Sequence, residues 1–181
     1  MNLWGKGIKM KARFEVSTEG MRELQSGREP WQLAKELVSN SWDEDIKRCT
    51  VELKSTDVRR AKLVVEDDGK GFADIKDAWT LMAHTPKRGK PEVRGRFNIG
   101  EKEILSVAKS AKIHTDGHVV IFPESGGRQI RKTEHRTGTR IEVNLVWGTR
   151  QVETTISKLK ELLTPKDVVY VVNGETIFYR K

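Results

Sequence analysis

Residues 61–72 read AKLVVEDDGKGF, and the rest of the chain can be interpreted outward from this stretch. Its apolar, β-branched first half predicts a strand over residues 61–66. Its second half, residues 67–72, predicts a turn, because two aspartates and two glycines interrupt a strand ladder. Upstream, residues 50–54 alternate apolar and polar side chains and predict another strand, with a turn at residues 57–60 between the two.

Helical and strand patterns are mixed along the remainder of the chain. Residues 30–44 predict a helix with Pro30 at its first position, where a missing N–H is tolerated. Further helices are predicted at residues 74–82, 99–110 and 152–163, and further strands at residues 14–17, 112–115, 118–122, 129–133, 139–146, 168–172 and 176–179. Because helices and antiparallel strands are mixed without regular βαβ alternation, we expect an α+β fold, a two-layer sandwich.

The composition limits the class of protein. A length of 181 residues predicts one domain over residues 1–181, in which a helix and a hairpin at residues 151–181 end the chain. No stretch approaches the roughly 18 apolar residues that a membrane span needs, so no membrane partner is expected. The single cysteine, Cys49, excludes an internal disulfide framework, and a reducing, cytoplasmic location is expected.

The net charge of +8 is concentrated in two segments. Residues 84–102 hold six basic against two acidic residues, and residues 127–140 hold five against one. Such segments could meet a polyanion, either the phosphates of a nucleotide or a nucleic acid. A solvated loop and a solvated hairpin would carry the same charges, so composition leaves the choice open.

Three polar residues share one stripe of the helix predicted at residues 30–44. Glu36, Asn40 and Asp43 are spaced i, i+4 and i+7. A carboxylate can orient and deprotonate a water molecule. An amide oxygen one turn away can ligate Mg²⁺, which prefers oxygen ligands and keeps several waters. A merely solvated polar stripe would show the same spacing.

Asp67 stands at the end of the apolar strand at residues 61–66. A carboxylate there can accept a hydrogen bond from an exocyclic amine such as adenine N6. Gly69 and Gly71 would let the backbone approach a flat ring, because no side chain obstructs it. An ordinary Asp/Gly turn is the alternative.

Two later segments could complete a ligand site. Residues 95–102 read GRFNIGEK and run into a predicted helix, so free N–H groups would face a phosphate, with Lys102 adding a charge. Gly138-Thr139 opens a predicted strand, and the Thr139 hydroxyl could share a water with Asp67. A plain helix start and a Gly-Thr pair without function are the alternatives.

In this order, the pattern ExxxNxxD, DxGxG, a glycine-containing loop and Gly-Thr before a strand resembles the GHKL ATPase superfamily: gyrase B subunits, the large heat-shock chaperone, histidine kinases and MutL. The resemblance spans residues 27–145 and is closest to the MutL, MORC and chaperone side. Residues 27–43 resemble the corresponding MutL run, and residues 84–87 (HTPK) resemble its HTSK element. The resemblance implies a Bergerat-type fold, an α/β sandwich with helices on one face of a mixed, mostly antiparallel sheet.

The resemblance also implies ATP and Mg²⁺ as cofactors, with hydrolysis to ADP and phosphate driving a conformational switch. Glu36 would be the general base, Asn40 the Mg²⁺ ligand and Asp43 a support of the pocket. Asp67 would bind adenine N6, and Thr139 would hold a bridging water. The other cofactor-binding candidates are Gly69, Gly71 beneath the ring, Phe72, Met82, Thr85 and Lys87, and, at the phosphate end of the ATP lid, Gly95, Phe97, Asn98, Ile99, Gly100, Glu101 and Lys102.

Three positions depart from the family pattern. Asn98 stands where a glycine is common, Asp68 adds a negative charge near the nucleotide, and Glu44 follows Asp43 where alanine is usual. Relatives complete their site with a lysine from a following domain and need dimerisation, and only 36 residues follow Leu145 here. We therefore expect slow hydrolysis by this chain alone, with a homodimer or a partner protein completing the site.

Two other functions remain open at this stage. One is a basic nucleic-acid-binding module, acting on DNA, in which the ATP site is vestigial. The other is a regulatory subunit that binds nucleotide without turnover.

Overall fold

The computed structural model describes residues 16–81 and 100–179. Four helices lie in these ranges: α1 (Thr18–Leu24), α2 (Pro30–Trp42), α3 (Gly100–Val107) and α4 (Thr149–Lys160), with a 3₁₀ helix at Ile75–Ala78. The strands are β1 (Arg48–Asp57), β2 (Arg60–Asp67), β3 (Ser110–Thr115), β4 (His118–Phe122), β5 (Gln129–Lys132), β6 (Thr139–Leu145), β7 (Val169–Val172) and β8 (Glu175–Ile177).

The strands form one sheet in the order β5-β4-β3-β6-β2-β1-β7-β8. Within it, β1 and β7 are parallel, and the other neighbours are antiparallel. On β2, Ala61, Leu63 and Val65 are buried in the core, whereas Lys62 and Glu66 alternate with them and are half-buried. Val64, on the face of Lys62 and Glu66, is also buried, but the core cluster contains only the first set. Helices therefore cover that face of the sheet, as the α+β prediction requires.

Helix α2 is the central helix of the covering layer. Its start is set by Pro30 at the first helical position and by Gln32 Oε1, which accepts the Glu29 N–H at 2.9 Å. Its buried stripe includes Leu37 and Val38, which are at most 1% exposed. Helix α2 contacts β1, β2, α3 and α4, so it holds its polar stripe at a fixed place above the sheet.

Aromatic packing joins the end of α2 to strand β7. The Trp42 ring meets the Tyr170 ring edge to face at 5.0 Å between centroids. The buried Tyr170 hydroxyl donates to the Leu159 carbonyl of α4 at 3.3 Å. A buried tyrosine hydroxyl usually has such a partner. Tyr170 of β7 thus contacts both α2 and α4.

The structure corrects three predicted elements. Helix α1 was not predicted; its seven residues bury none of their side chains, so no apolar periodicity marks it, and Ser17, expected in a strand, is its N-cap. The helix predicted at residues 74–82 is a 3₁₀ turn over Ile75–Ala78, and the Lys102 ammonium of α3 binds the Asp77 carbonyl within this turn. Residue 82 lies outside the described ranges.

The helix predicted at residues 99–110 also ends early. Helix α3 stops at Val107, and Ser110 already pairs with Asn144 of β6. The Lys109 N–H donates to the Asn144 carbonyl at 2.8 Å, so sheet pairing takes the backbone away from the helix. Within residues 16–81 and 100–179, no helix combines the length and the apolar character that a bilayer span requires.

Candidate functional site

Strand order brings distant polar residues to one end of the sheet. Asp67 ends β2, Thr139 begins β6 and Thr115 ends β3, and these three strands are neighbours. Thr115 and Thr139 are directly opposite each other in the register. The two predicted site residues Asp67 and Thr139, 72 positions apart in the chain, are therefore in contact.

The Asp67 carboxylate is held from three sides. Its Oδ1 accepts the backbone N–H groups of Gly69 at 3.0 Å and Thr139 at 3.1 Å, and its Oδ2 accepts the Ser41 hydroxyl at 3.0 Å. Burial raises the pKa of Asp67, against the three hydrogen bonds that lower it. A carboxylate offers about four acceptor positions, so Asp67 keeps capacity for a further donor.

Glycines around Asp67 are required by close backbone approach. Gly138 has φ +81°, and a Cβ there would lie 1.8 Å from the Asp67 carbonyl oxygen. Gly71 has φ +78°, and its Cβ would lie 2.5 Å from Thr115 Oγ1, which also accepts the Phe72 N–H at 3.0 Å. Gly69 packs beside Ile46. The glycines of the DxGxG turn thus have a packing reason in the protein itself.

Asp68 is turned toward the start of β1. Its Oδ1 accepts the backbone N–H groups of Lys47 at 2.9 Å and Arg48 at 3.0 Å. Although desolvation opposes it, these two bonds hold the pKa of Asp68 below its ordinary value. The extra negative charge of Asp68 in this turn is therefore engaged by the β1 backbone and the residue before it.

Glu36 and Asn40 lie on the face of α2 that meets the start of α3. A Cβ on Gly100 would lie 3.0 Å from Glu36 Cβ, 3.2 Å from Glu36 Oε2 and 3.2 Å from Asn40 Nδ2. The first residue of α3 is thus in contact with both members of the stripe. Asp43 follows one turn later as the half-buried C-cap of α2.

The remaining predicted residues divide into two groups. The Lys102 side chain is buried, and its ammonium binds the Asp77 carbonyl, so it joins α3 to the 3₁₀ helix. The Glu101 side chain lies outside the described part of the structure, so its predicted role stays a prediction. Outside the described residues lie Met82, Thr85, Lys87, Gly95, Phe97, Asn98 and Ile99.

Three residues of the site were missed by the sequence analysis. Ser41, Thr115 and Arg28 contact Asp67, Phe72 and Glu36 respectively. Ser41 lies four positions after Leu37 on the buried stripe of α2, so a polar residue at a buried position was the available signal. Thr115 and Arg28 carry no local signal, because their partners are brought to them by the fold.

The side-chain oxygens of the polar stripe on α2 are suited to Mg²⁺. Among residues 16–81 and 100–179, no cluster of three or more His, Cys, Asp or Glu side chains could hold a metal ion. Mg²⁺ is commonly bound by one or two protein oxygens together with substrate phosphates and waters. The Asn40 amide, beside Glu36 and the start of α3, fits that kind of site.

Comparison with known proteins identifies the family of the chain. The sequence model of one family, described as "Histidine kinase-, DNA gyrase B-, and HSP90-like ATPase", matches residues 29–134. No curated protein matches the chain.

Among solved structures, the chain is similar to the ATPase region of Saccharomyces cerevisiae topoisomerase II, with a TM-score of 0.57, 13% identity and coverage of 83% of this chain and 49% of that one. It is also similar to the N-terminal domain of a DNA repair protein, with a TM-score of 0.58, 18% identity and coverage of 87% and 53%. The chain thus spans about half the length of these structures. At such identities they show a common fold.

The family match includes α2, the Asp67 turn and α3, and it ends before β6. The chain belongs to the histidine kinase-, DNA gyrase B- and HSP90-like ATPases, the GHKL superfamily.

Proposed function

We propose that this chain binds ATP with Mg²⁺ and hydrolyses it slowly to ADP and phosphate. The observation that carries the proposal is the buried Asp67 carboxylate, oriented by three donors at one end of the sheet. In this role Asp67 accepts the adenine N6–H, and the Thr139 hydroxyl holds a water beside it. Burial strengthens such a polar contact, because water does not compete for the carboxylate.

The phosphates would extend from Asp67 toward the start of α3. Its first N–H groups and the positive end of its dipole favour anions. Asn40 would ligate Mg²⁺, which neutralises charge on the phosphates when bound. Glu36 would accept a proton from the attacking water, while the bond between the γ-phosphorus and the oxygen bridging it to ADP breaks.

Two variants test nucleotide binding and hydrolysis separately. Asp67→Asn should weaken binding of a non-hydrolysable ATP analogue about 10- to 100-fold, the range expected for a hydrogen bond to a charged group. Glu36→Gln should bind the analogue like the parent but release phosphate at least about 100-fold more slowly, because general base catalysis contributes that much. Titration calorimetry and a phosphate-release assay measure the two effects.

The matched control is Glu153→Gln, which removes an exposed carboxylate from α4, away from the site. It should bind and hydrolyse like the parent. Circular dichroism verifies that each variant is folded. If Asp67→Asn and Glu36→Gln both bind and turn over like the parent, the proposed function is wrong.

A second candidate function is binding to nucleic acid. The specific observation is β5, an edge strand whose four residues are all exposed and include Arg131 and Lys132. In the sheet, β4, β3 and β6 lie between β5 and β2, the strand that ends in Asp67. Completion of the ATPase site by a second copy or a partner protein is also part of the proposal, since the similar solved chains are about twice as long.

A further inference from the structure

One arginine contacts all three of the elements that surround the start of the α2 stripe. Arg28 lies in the turn between α1 and α2, and its Nη1 donates to Gln25 Oε1 at 3.3 Å and to Glu103 Oε2 of α3. Its Nη2 reaches Glu36 Oε1 of α2 at 3.5 Å. The guanidinium fork thus holds two carboxylates at once, one of them the proposed base.

The backbone of this turn is fixed independently of the ion pairs. The Arg28 N–H donates to the Gln25 carbonyl at 3.0 Å, and the next residue, Glu29, is held by Gln32 of the first turn of α2. Pro30 follows with a restricted φ angle. The Arg28 side chain, which is 29% exposed, therefore extends from a turn whose backbone is held by hydrogen bonds.

The contact has a consequence for the two oxygens of Glu36. Arg28 takes Oε1, while Oε2 lies 3.2 Å from the point where a Cβ of Gly100 would be. Without Arg28, the carboxylates of Glu36 and Glu103 would lose their shared cation and repel each other. Glu36 is 37% exposed on its side chain, so it has room to turn toward solvent.

We propose that Arg28 is a positioning residue for hydrolysis, anchored by Glu103, which keeps Glu36 Oε2 directed at the start of α3. This inference rests on the proposed function of Glu36 as the base. It extends that function by a residue that acts through its contact with Glu36. A misplaced base can cost about 100-fold in rate, whereas the affinity for nucleotide depends on other groups.

The test compares Arg28→Met with Arg28→Lys and with a matched control. Arg28→Met should slow single-turnover hydrolysis of ATP about 10- to 100-fold and change the dissociation constant of the non-hydrolysable analogue less than about threefold. Arg28→Lys should recover part of the rate, because it restores the charge but not the fork. The double variant Arg28→Met/Glu103→Gln should also recover part of it, because it removes the leftover repulsion.

The control is Arg22→Met. Arg22 makes a comparable connection to α3, but its Nε donates to a backbone carbonyl, that of Ser106 at 2.9 Å, and not to a carboxylate of the site. It should lose a similar amount of thermal stability and keep the parent rate. Parent-like turnover in Arg28→Met, or an equal loss of rate in Arg22→Met, overturns the inference.

Failure of this inference can be told apart from failure of the proposed function. If Glu36→Gln abolishes turnover but Arg28→Met does not, only the role of Arg28 is wrong. If Glu36→Gln turns over like the parent, or the parent releases no phosphate, the assignment of Glu36 is wrong, and the role of Arg28 fails with it.

Discussion

Gly138 is the residue at which two backbone segments approach most closely in the site. Its φ of +81° is unfavourable for any side chain, and a Cβ would overlap the Asp67 carbonyl oxygen at 1.8 Å. Gly138→Ala should therefore push the loop away and break the Thr139 N–H bond to Asp67. We expect a loss of more than about 2 kcal/mol in the free energy of unfolding, measured by urea denaturation, and at least tenfold weaker binding of the ATP analogue.

The control for this residue is Gly126→Ala in the turn between β4 and β5. Gly126 has φ +90°, but nothing lies within 4 Å of its would-be Cβ. Gly126→Ala should lower the free energy of unfolding by about 1–2 kcal/mol, the cost of a left-handed conformation without a clash. It should bind the analogue like the parent. Equal effects of the two substitutions would mean that the approach of Gly138 to Asp67 is unimportant.

At the scale of elements, an ion cluster joins β2 and β6 on the sheet face opposite the helices. Glu66 accepts from Arg136 at 2.6 Å and Arg140 at 2.7 Å. Glu142 contacts Arg140 at 3.0 Å and Lys62 at 2.6 Å. Glu66 immediately precedes Asp67, and Arg140 immediately follows Thr139. The cluster therefore lies next to the site, on the opposite face of the sheet.

The pKa of Glu142 gives the cluster a pH dependence. Desolvation opposes ionisation, but hydrogen bonds from Lys62 and Arg140 prevail and lower the pKa of Glu142 from 4.5 to about 2. A depressed folded-state pKa contributes stability that is fully present above about pH 5 and is lost as the pH falls toward 2. Urea denaturation across this range should show the loss, with a shallower slope for Glu142→Gln.

The control is Glu52→Gln on the same sheet face. Glu52 is paired with Lys54 at 3.4 Å, and its side chain is 59% exposed. Exposed pairs contribute little, so this variant should follow the parent profile. An unchanged acid slope in Glu142→Gln would show that the cluster does not stabilise the sheet.

At the scale of the whole molecule, the net charge of +8 has an uneven surface distribution. Within residues 127–140, Arg136 and Arg140 are bound to Glu66, and Arg128 lies over the Trp79 ring at 4.6 Å. The exposed edge strand β5 then presents Arg131 and Lys132 outward. If β5 binds nucleic acid as proposed, these two side chains would contact phosphates and would not read base sequence.

We expect duplex DNA binding that weakens steeply with salt. Replacing both Arg131 and Lys132 by alanine should reduce the slope of log affinity against log salt by up to about 1.8, at roughly 0.9 for each phosphate contact, as measured by fluorescence anisotropy. Asp67→Asn should leave this binding unchanged. The control is Lys158→Ala/Lys166→Ala, two exposed lysines elsewhere. Equal slopes for both double variants would assign the binding to net charge alone.

Local patterns predicted much of the fold and the order of the site motifs. The strands on either side of residues 57–60 and the helix from Pro30 were confirmed, because apolar periodicity and turn residues act over a few positions. Helix α1 and the end of α3 were not predicted. The first is short and polar, and the second is decided by pairing with Asn144, a partner distant in sequence.

By itself, the sequence determined the family, the α+β class and the stripe of α2, because these depend on residue types at fixed short spacings. Other contacts follow from the packing of distant segments: Ser41 and Thr139 both meet Asp67, Asp68 accepts the N–H groups at the start of β1, and Arg28 joins Glu36 to α3. Such contacts depend on strand order and helix packing, since free energy is gained only when residues far apart in the chain are brought together.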